Sequence, residues 1–329
     1  MIETRKTSGN HGKKKYLYDR ISVYFFLLAI IIIVSLIILS LPYGETYIRE
    51  AYHLDSSRGE SIVRTFAIIA TIATTIFILG TFYNIMTWME GRLSNEEERL
   101  PKSTKLVIST RRFFRAVFSR DFGKQFAVFI KDSLFIGKLW KINKLRWFAH
   151  AMILFGFIGM FILDLITVLA LDIFHYSAFI EPTGWGKLWI RDFGFDLFGL
   201  MVLIGLIGAI VRRFIFAPKQ LVTGREDFVS VVFLFIVILG GFILEGLAIG
   251  IEFLHSSSQP DYSFVGISFS YLMNSPNFGP DAYAVSWFIH ATMSLAFVAY
   301  IPFSKLFHFF AAPMANQIDE IIRRRGSSG

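Results

Sequence analysis

Cysteine is absent from all 329 residues. That absence excludes disulfides, thiolate-ligated iron–sulfur clusters, covalent c-type haem attachment and a cysteine nucleophile. Any metal or haem must therefore rest on His, Met or carboxylate ligands. Charge is scarce too: 18% of residues are charged, where a soluble domain averages about 25%. A clear short repeat, a low-complexity stretch and a phosphate-binding glycine loop are also missing. What fills the chain instead is apolar. Hydrophobic residues make up 54%, 37 of them Phe, bunched into long runs that a soluble core does not require. The class is membrane protein. The net charge of +8 then reports where the loops lie, and no nucleic-acid partner is expected.

A helix crossing about 30 Å of hydrocarbon needs roughly 20 apolar residues. Six stretches qualify: Ile21–Leu41, Ile62–Trp88, Trp147–Leu171, Phe193–Val211, Phe228–Gly250 and Tyr283–Phe309. Backbone polar groups in lipid must bond internally, so each is read as a helix rather than a short alternating barrel strand. The first follows Lys13–Lys15, is longer than a signal-peptide core and lacks a small-residue cleavage site, so it is expected to be retained. The expected fold is an all-α membrane protein, a six-helix bundle.

Loop charges orient it. The amino tail, the loop Glu90–Arg146, the loop Arg212–Asp227 and the carboxyl end hold 28 of the 33 Lys and Arg, and Ile251–Ala282 holds none. Both termini are expected on the cytoplasmic side of the inner membrane. Residues 1–89 read as a tail and helix pair, 90–146 as a basic loop, 147–316 as a four-helix domain and 317–329 as a tail. The basic loop, with Arg111-Arg112-Phe113-Phe114-Arg115, Lys124 and Lys131, predicts interfacial helices against anionic lipid, a docking platform for a cytoplasmic subunit, or both. Thr223-Gly224-Arg225-Glu226 has capping-box spacing at the start of the fifth span.

Seven histidines are present, and most fall in tails, loops or helix ends. His290 lies within a span, and polar side chains there are costly and usually functional. His290 and His308 are 18 residues apart. On a continuous helix that is five whole turns, about 27 Å, with both side chains on one face. Two stacked haems fit this pattern. A proton path and a pair of histidines held by helix–helix hydrogen bonds fit it too. His150 opens the third span level with His308, which makes those two a natural pair. Met160 lies ten residues further on, about 15 Å along the helix, in Gly156-Phe157-Ile158-Gly159-Met160. The two glycines would let a flat macrocycle approach, although a Met in an apolar helix more often packs than ligates. Pro302 is a kink site within the last span, and His175 is an alternative ligand further out.

Three stretches carry a family resemblance: Phe148-Ala149-His150 with Phe157-Ile158-Gly159-Met160; Arg212-Arg213 through Pro218 to Thr223-Gly224; and His290 followed by Ile301-Pro302-Phe303-Ser304-Lys305-Leu306-Phe307-His308 and Pro313. From about Leu145 to Asn316 the chain resembles the gamma-subunit family of respiratory nitrate reductases, membrane cytochromes with two b haems. The first 144 residues resemble relatives that serve heterodisulfide-reductase-like iron–sulfur subunits. The membrane cytochrome of the dissimilatory sulfite-reduction-associated complex is nearest in layout.

The resemblance implies an inner haem b on His150 and His308 and an outer one on position 160 and His290. That position is His in the nitrate reductase subunits and Met160 here. The difference allows His/Met ligation, a five-coordinate outer haem or its loss. A thioether is an acceptable ligand, so His/Met is expected. The resemblance further implies oxidation of a quinol, a menaquinol, near the outer haem. Electrons would pass inward to a cytoplasmic iron–sulfur subunit, making the chain the electron-transfer subunit of an oxidoreductase complex. Asp164 or Glu245 would take a quinol proton and Lys187 a quinone oxygen, although each also reads as an interfacial charge reaching water. Arg146, Arg212, Arg213 and Lys305 would pair with haem propionates, or simply set topology. Two other classes compete: a proton-coupled transporter using His290, Asp164 and Glu245, and a membrane anchor with no redox role.

Overall fold

The computed structural model describes residues 56–90, 101–118, 122–170, 174, 176, 184–216, 225–255, 262–273 and 280–313. The span Ile21–Leu41, both tails, His175 and the Thr223-Gly224 start of the capping pattern lie outside them. Every regular element among the described residues is helical.

Helix α1 (Ser56–Trp88) is followed by α2 (Lys102–Val117), α3 (Phe122–Val128) and α4 (Gly137–Ile142), then the long α5 (Lys144–Val168). A π-helical run, Gly186–Gly194, leads straight into α6 (Phe195–Ile210), which ends in a second, Val211–Ile215. Next come α7 (Arg225–His255), the short α8 (Phe264–Met273) and α9 (Pro280–Tyr300). Among the described residues, five helical runs are long and apolar enough to cross a membrane: Arg64–Trp88, Lys144–Thr167, Gly186–Arg213, Phe228–Gly250 and Ala282–Phe303. They overlap the second to sixth expected spans, with ends that differ by up to seven residues.

Helices that all sit among lipid tails gain little from apolar burial, so close packing must hold them together. The tightest seam is α5 on α6. A Cβ at Gly156 would meet Val202 Cγ2 at 2.6 Å, and one at Gly205 would meet the Ala149 carbonyl at 2.7 Å. Backbones this close tolerate only glycine. The core between α6, α7 and α9 is built on Val202, Leu206, Leu234, Phe242 and Phe297, with Met160 of α5 packed against it. α9 in turn lies along both α7 and α1.

The loop between the second and third expected spans folds as helices. α2 turns back on the end of α1, through an ion pair between Lys102 and Glu90 and a contact from Ser109 Oγ to Met89 Sδ at 3.9 Å. Phe122, Phe126 and Phe129 stack at 5.6 and 6.3 Å, with Phe122 and Phe126 exposed. Trp147 Nε1 donates to the Phe135 carbonyl at 2.6 Å and fastens this segment to α5.

The last span departs from expectation. Pro302 does more than kink it, because the α-helix stops at Tyr300. Two 3-10 turns follow, Ile301–Phe303 and Lys305–Phe307, separated by an extended Ser304 (φ −118°, ψ 168°), and the helix resumes at His308. Proline has no N–H and crowds the preceding turn, so the regular ladder fails there. The polar groups set free are satisfied locally. Asn84 Nδ2 of α1 donates to the Pro302 carbonyl at 2.6 Å, and Leu306 N–H donates to Ser304 Oγ at 3.2 Å. The five-turn geometry linking His290 to His308 assumed an unbroken helix and therefore does not hold.

Candidate functional site

Functional side chains gather at the two ends of the bundle. At one end the imidazoles of His150, in the second turn of α5, and His308, just past the 3-10 turns, stand 6.1 Å apart between ring centroids at an interplanar angle of 31°. His308 Nδ1 lies 2.6 Å from the Lys305 carbonyl. A carbonyl only accepts, so Nδ1 carries a proton, and it is Nε2 that is left to face a ligand. A metal-ligating histidine is usually oriented by such a bond from its other ring nitrogen. Two imidazoles bound on opposite sides of one metal, at about 2 Å each, have centroids about 6 Å apart. Among the described residues no three His, Cys, Asp or Glu converge on a bare ion. A pair of this spacing suits a metal that brings its equatorial ligands with it, as a haem does. Arg146 and Arg212 are near enough to act electrostatically on one another, and Arg146 acts likewise on His150. Such a cluster fits propionate carboxylates. Lys305 is exposed beside it, and its carbonyl orients His308.

His290 sits mid-span on α9 against α7. A Cβ at Gly240 would lie 3.1 Å from its Nδ1, and one at Gly241 would lie 3.6 Å from Cε1. The glycine pair is thus the slot that admits the ring. Its Nδ1 is buried without a hydrogen-bond partner. An unmatched ring nitrogen inside a membrane span is costly, and coordination or a hydrogen bond to a bound group would relieve the cost. Met160 packs into the apolar core.

Gly156 and Gly159 do not offer the flat face expected of them. Cβ atoms there would strike Val202 and the ring of Phe198, the latter at 2.4 Å, so both glycines serve the α5–α6 seam.

At the opposite end lies a polar cluster that only partly matches the expected quinol residues. Glu245 of α7 accepts from Ser263 Oγ at 3.0 Å, and Gly266 of α8 presses on its carboxyl. Beside it is Asp196 of α6, fully buried: both carboxyls meet Gly266, whose N–H donates to Asp196 Oδ2 and whose Cβ position lies against the Glu245 carboxyl carbon. Asp196 Oδ2 accepts from the backbone N–H groups of Val265 at 2.6 Å and Gly266 at 3.4 Å, and so caps α8 from another helix. Lys187 pairs with Asp192 at 3.3 Å within the π-helical run, and Asp192 acts electrostatically on Glu245. Asp164 faces outward from α5 beside exposed Phe161, Ile162 and Leu165. Glu245 and Lys187 therefore belong to one cluster, while Asp164 stands on a different face. Asp196 and Asp192 are new to the site. Asp196 carried a legible signal: an acid three residues into an apolar run needs a reason to be there.

A family model described as nitrate reductase gamma subunit matches residues 138–326. Among curated proteins, a dihydromethanophenazine:CoB–CoM heterodisulfide reductase subunit from Methanosarcina acetivorans is 27% identical over 260 residues, covering 75% of this chain and 88% of that protein. Its counterpart in Methanosarcina thermophila is 25% identical over 256 residues, again covering 75% and 88%. The EtfAB:quinone oxidoreductase of Syntrophomonas wolfei is 26% identical over 178 residues, 51% of this chain and 24% of that protein. Only three residues follow the family match, so the longer heterodisulfide reductase alignments must reach into the chain before Lys138. No solved structure matches. With more than half of its residues inside the matched region, this chain belongs to the nitrate reductase gamma subunit family.

Proposed function

We propose that this chain is the membrane cytochrome b subunit of a quinone-linked respiratory complex. It oxidises a quinol, a menaquinol, at the Glu245 end and passes electrons toward a cytoplasmic iron–sulfur subunit of heterodisulfide-reductase type. The observation that carries the proposal is the His150–His308 pair, 6.1 Å between rings with His308 Nδ1 already engaged. The relatives support the complex: one kind is named as part of a heterodisulfide reductase and another as a quinone oxidoreductase. A role in sulfite reduction is a narrower version of the same assignment.

Each haem, when bound, supplies a one-electron carrier inside the bundle. The chain does the rest. His150 and His308 would hold the haem at one end, with Arg146, Arg212, Arg213 and Lys305 available to its propionates. His290 and Met160 would hold the other haem, with Gly240 and Gly241 keeping the His290 ring in place. At the acid end Glu245 receives a quinol proton. Lys187, tied to Asp192, sets the local charge where a quinone oxygen would dock. Asp164 is a second proton acceptor at the lipid-facing side of α5.

The test is a reduced-minus-oxidised spectrum of the purified protein, with haem counted by pyridine haemochrome. Two b haems are expected in the native chain and one in His308→Ala. A protein without Soret or α bands would overturn the assignment and leave the transporter and the anchor as competitors.

A further inference from the structure

We propose that Asp196 is the positioning residue for Glu245, sharing one proton with it so that the two carboxyls act as a single acceptor. The inference rests on the quinol site placed above at this end of the bundle.

Three features make the pair more than two neighbouring acids. Asp196 is 0% exposed, yet its Oδ1 has no geometric hydrogen-bond partner, while Oδ2 is taken by the N–H groups of Val265 and Gly266. A buried carboxylate oxygen left bare is expensive. The carboxyl beside it is Glu245, and a proton on either acid joins them, whereas none would leave two like charges abutting away from water. Next, α8 clamps the pair. Its first N–H groups hold Asp196, Ser263 at its head holds Glu245 Oε1 at 3.0 Å, and a Cβ at Gly266 would come within 2.6 Å of Glu245 Cδ. Two acids from different transmembrane helices are thereby fixed by one short element. Finally, among the described residues Asp192 acts on Glu245 from the α6 side, and Asp192 is paired with Lys187. From α8, Glu245 meets the Ser263 hydroxyl.

Quinol oxidation breaks two O–H bonds and releases two electrons and two protons. A b haem, where bound, would supply the oxidant, one electron at a time. Glu245 takes one hydroxyl proton on its carboxylate oxygen. The proton already shared with Asp196 is then released to water at this end of the bundle, and the pair returns to its starting state to take the second hydroxyl proton. Asp196 never touches the quinol. It keeps Glu245 oriented and one proton in reserve.

The test uses Asp196→Asn, which retains the acceptor that caps α8 but not the exchangeable proton, and Glu245→Gln. Infrared difference spectra of the purified chain, recorded across pH without quinol, should show one protonated-carboxyl C=O stretch that disappears in each variant. With a reduced naphthoquinol as donor, Asp196→Asn should displace the pH profile of quinol oxidation by about one pH unit or more, at unchanged haem content. If Asp196→Asn fails to fold, the band in native protein and in Glu245→Gln still decides the matter. An unshared band that survives Glu245→Gln would overturn the pairing. So would a pH profile in Asp196→Asn identical to the native one. Normal quinol oxidation in Glu245→Gln would instead sink the quinol site while leaving the infrared result to stand on its own.

Discussion

Met160 is the residue on which the second haem of the proposed function depends. Its thioether reaches the apolar core, where the same side chain serves packing, and those roles separate in one substitution. Met160→Leu conserves volume and costs less than about 1.5 kcal/mol in a core, so the fold should survive. If the thioether is a ligand, the variant keeps its His150–His308 haem but loses the low-spin signature of the other, or loses that haem outright. Two normal low-spin haems in Met160→Leu, counted by haemochrome and low-temperature EPR, would strike Met160 from the ligand set. At this scale the sequence was legible where chemistry is rare. A histidine inside an apolar run stands out, and His150 with His308 followed from level positions on two helices. It was illegible where the neighbour decides. Gly156 and Gly159 look like room for a macrocycle until Val202 and Phe198 are seen filling that room. Gly240 and Gly241 drew no notice until His290 was found resting on them.

The decisive element is the break in the last span. A continuous helix would carry His290 and His308 in fixed phase. The turns Ile301–Phe303 and Lys305–Phe307 uncouple them, and a 3-10 turn rises about 2.0 Å per residue where an α-helix rises 1.5 Å. The aim of His308 is therefore set locally, by the Lys305 carbonyl and by whatever holds the turns. Asn84 does much of the holding, with Trp88 packed on Phe307 at 5.3 Å between ring centroids. Asn84→Leu leaves the Pro302 carbonyl unpaired in an apolar setting. Interhelical hydrogen bonds of this kind are worth about 0.6–2 kcal/mol in membranes. The expected outcome is a modestly lower Tm with a perturbed His150–His308 haem spectrum and an unchanged second haem. Equal perturbation of both haems would mean that Asn84 supports the bundle in general rather than the turns. Pro302 announced some irregularity in the sequence, but the partner of its carbonyl, Asn84 on α1, lies 218 residues away, which no local pattern contains.

At the scale of the whole molecule, the described helices put the histidine pair and the acid pair at opposite ends, which is what transfer across a membrane requires. Five apolar helices were legible because length and hydropathy suffice to find them. Which end faces which compartment is a prediction from charge, since Lys and Arg resist translocation. The missing cysteine that opened the sequence makes the prediction easy to check, since any thiol introduced is the only one present. Thr223→Cys lies in the basic loop between α6 and α7, and Ser258→Cys in the Lys- and Arg-free stretch that follows α7. On intact cells, a membrane-impermeant maleimide should label Ser258→Cys, and Thr223→Cys only after permeabilisation. That pattern puts Glu245 at the outer face and His150 at the inner one, so quinol protons leave outward and electrons inward. The reverse pattern would turn the protein over. An iron–sulfur subunit in the cytoplasm would then meet the acid end, and the electron path proposed above would have to run the other way.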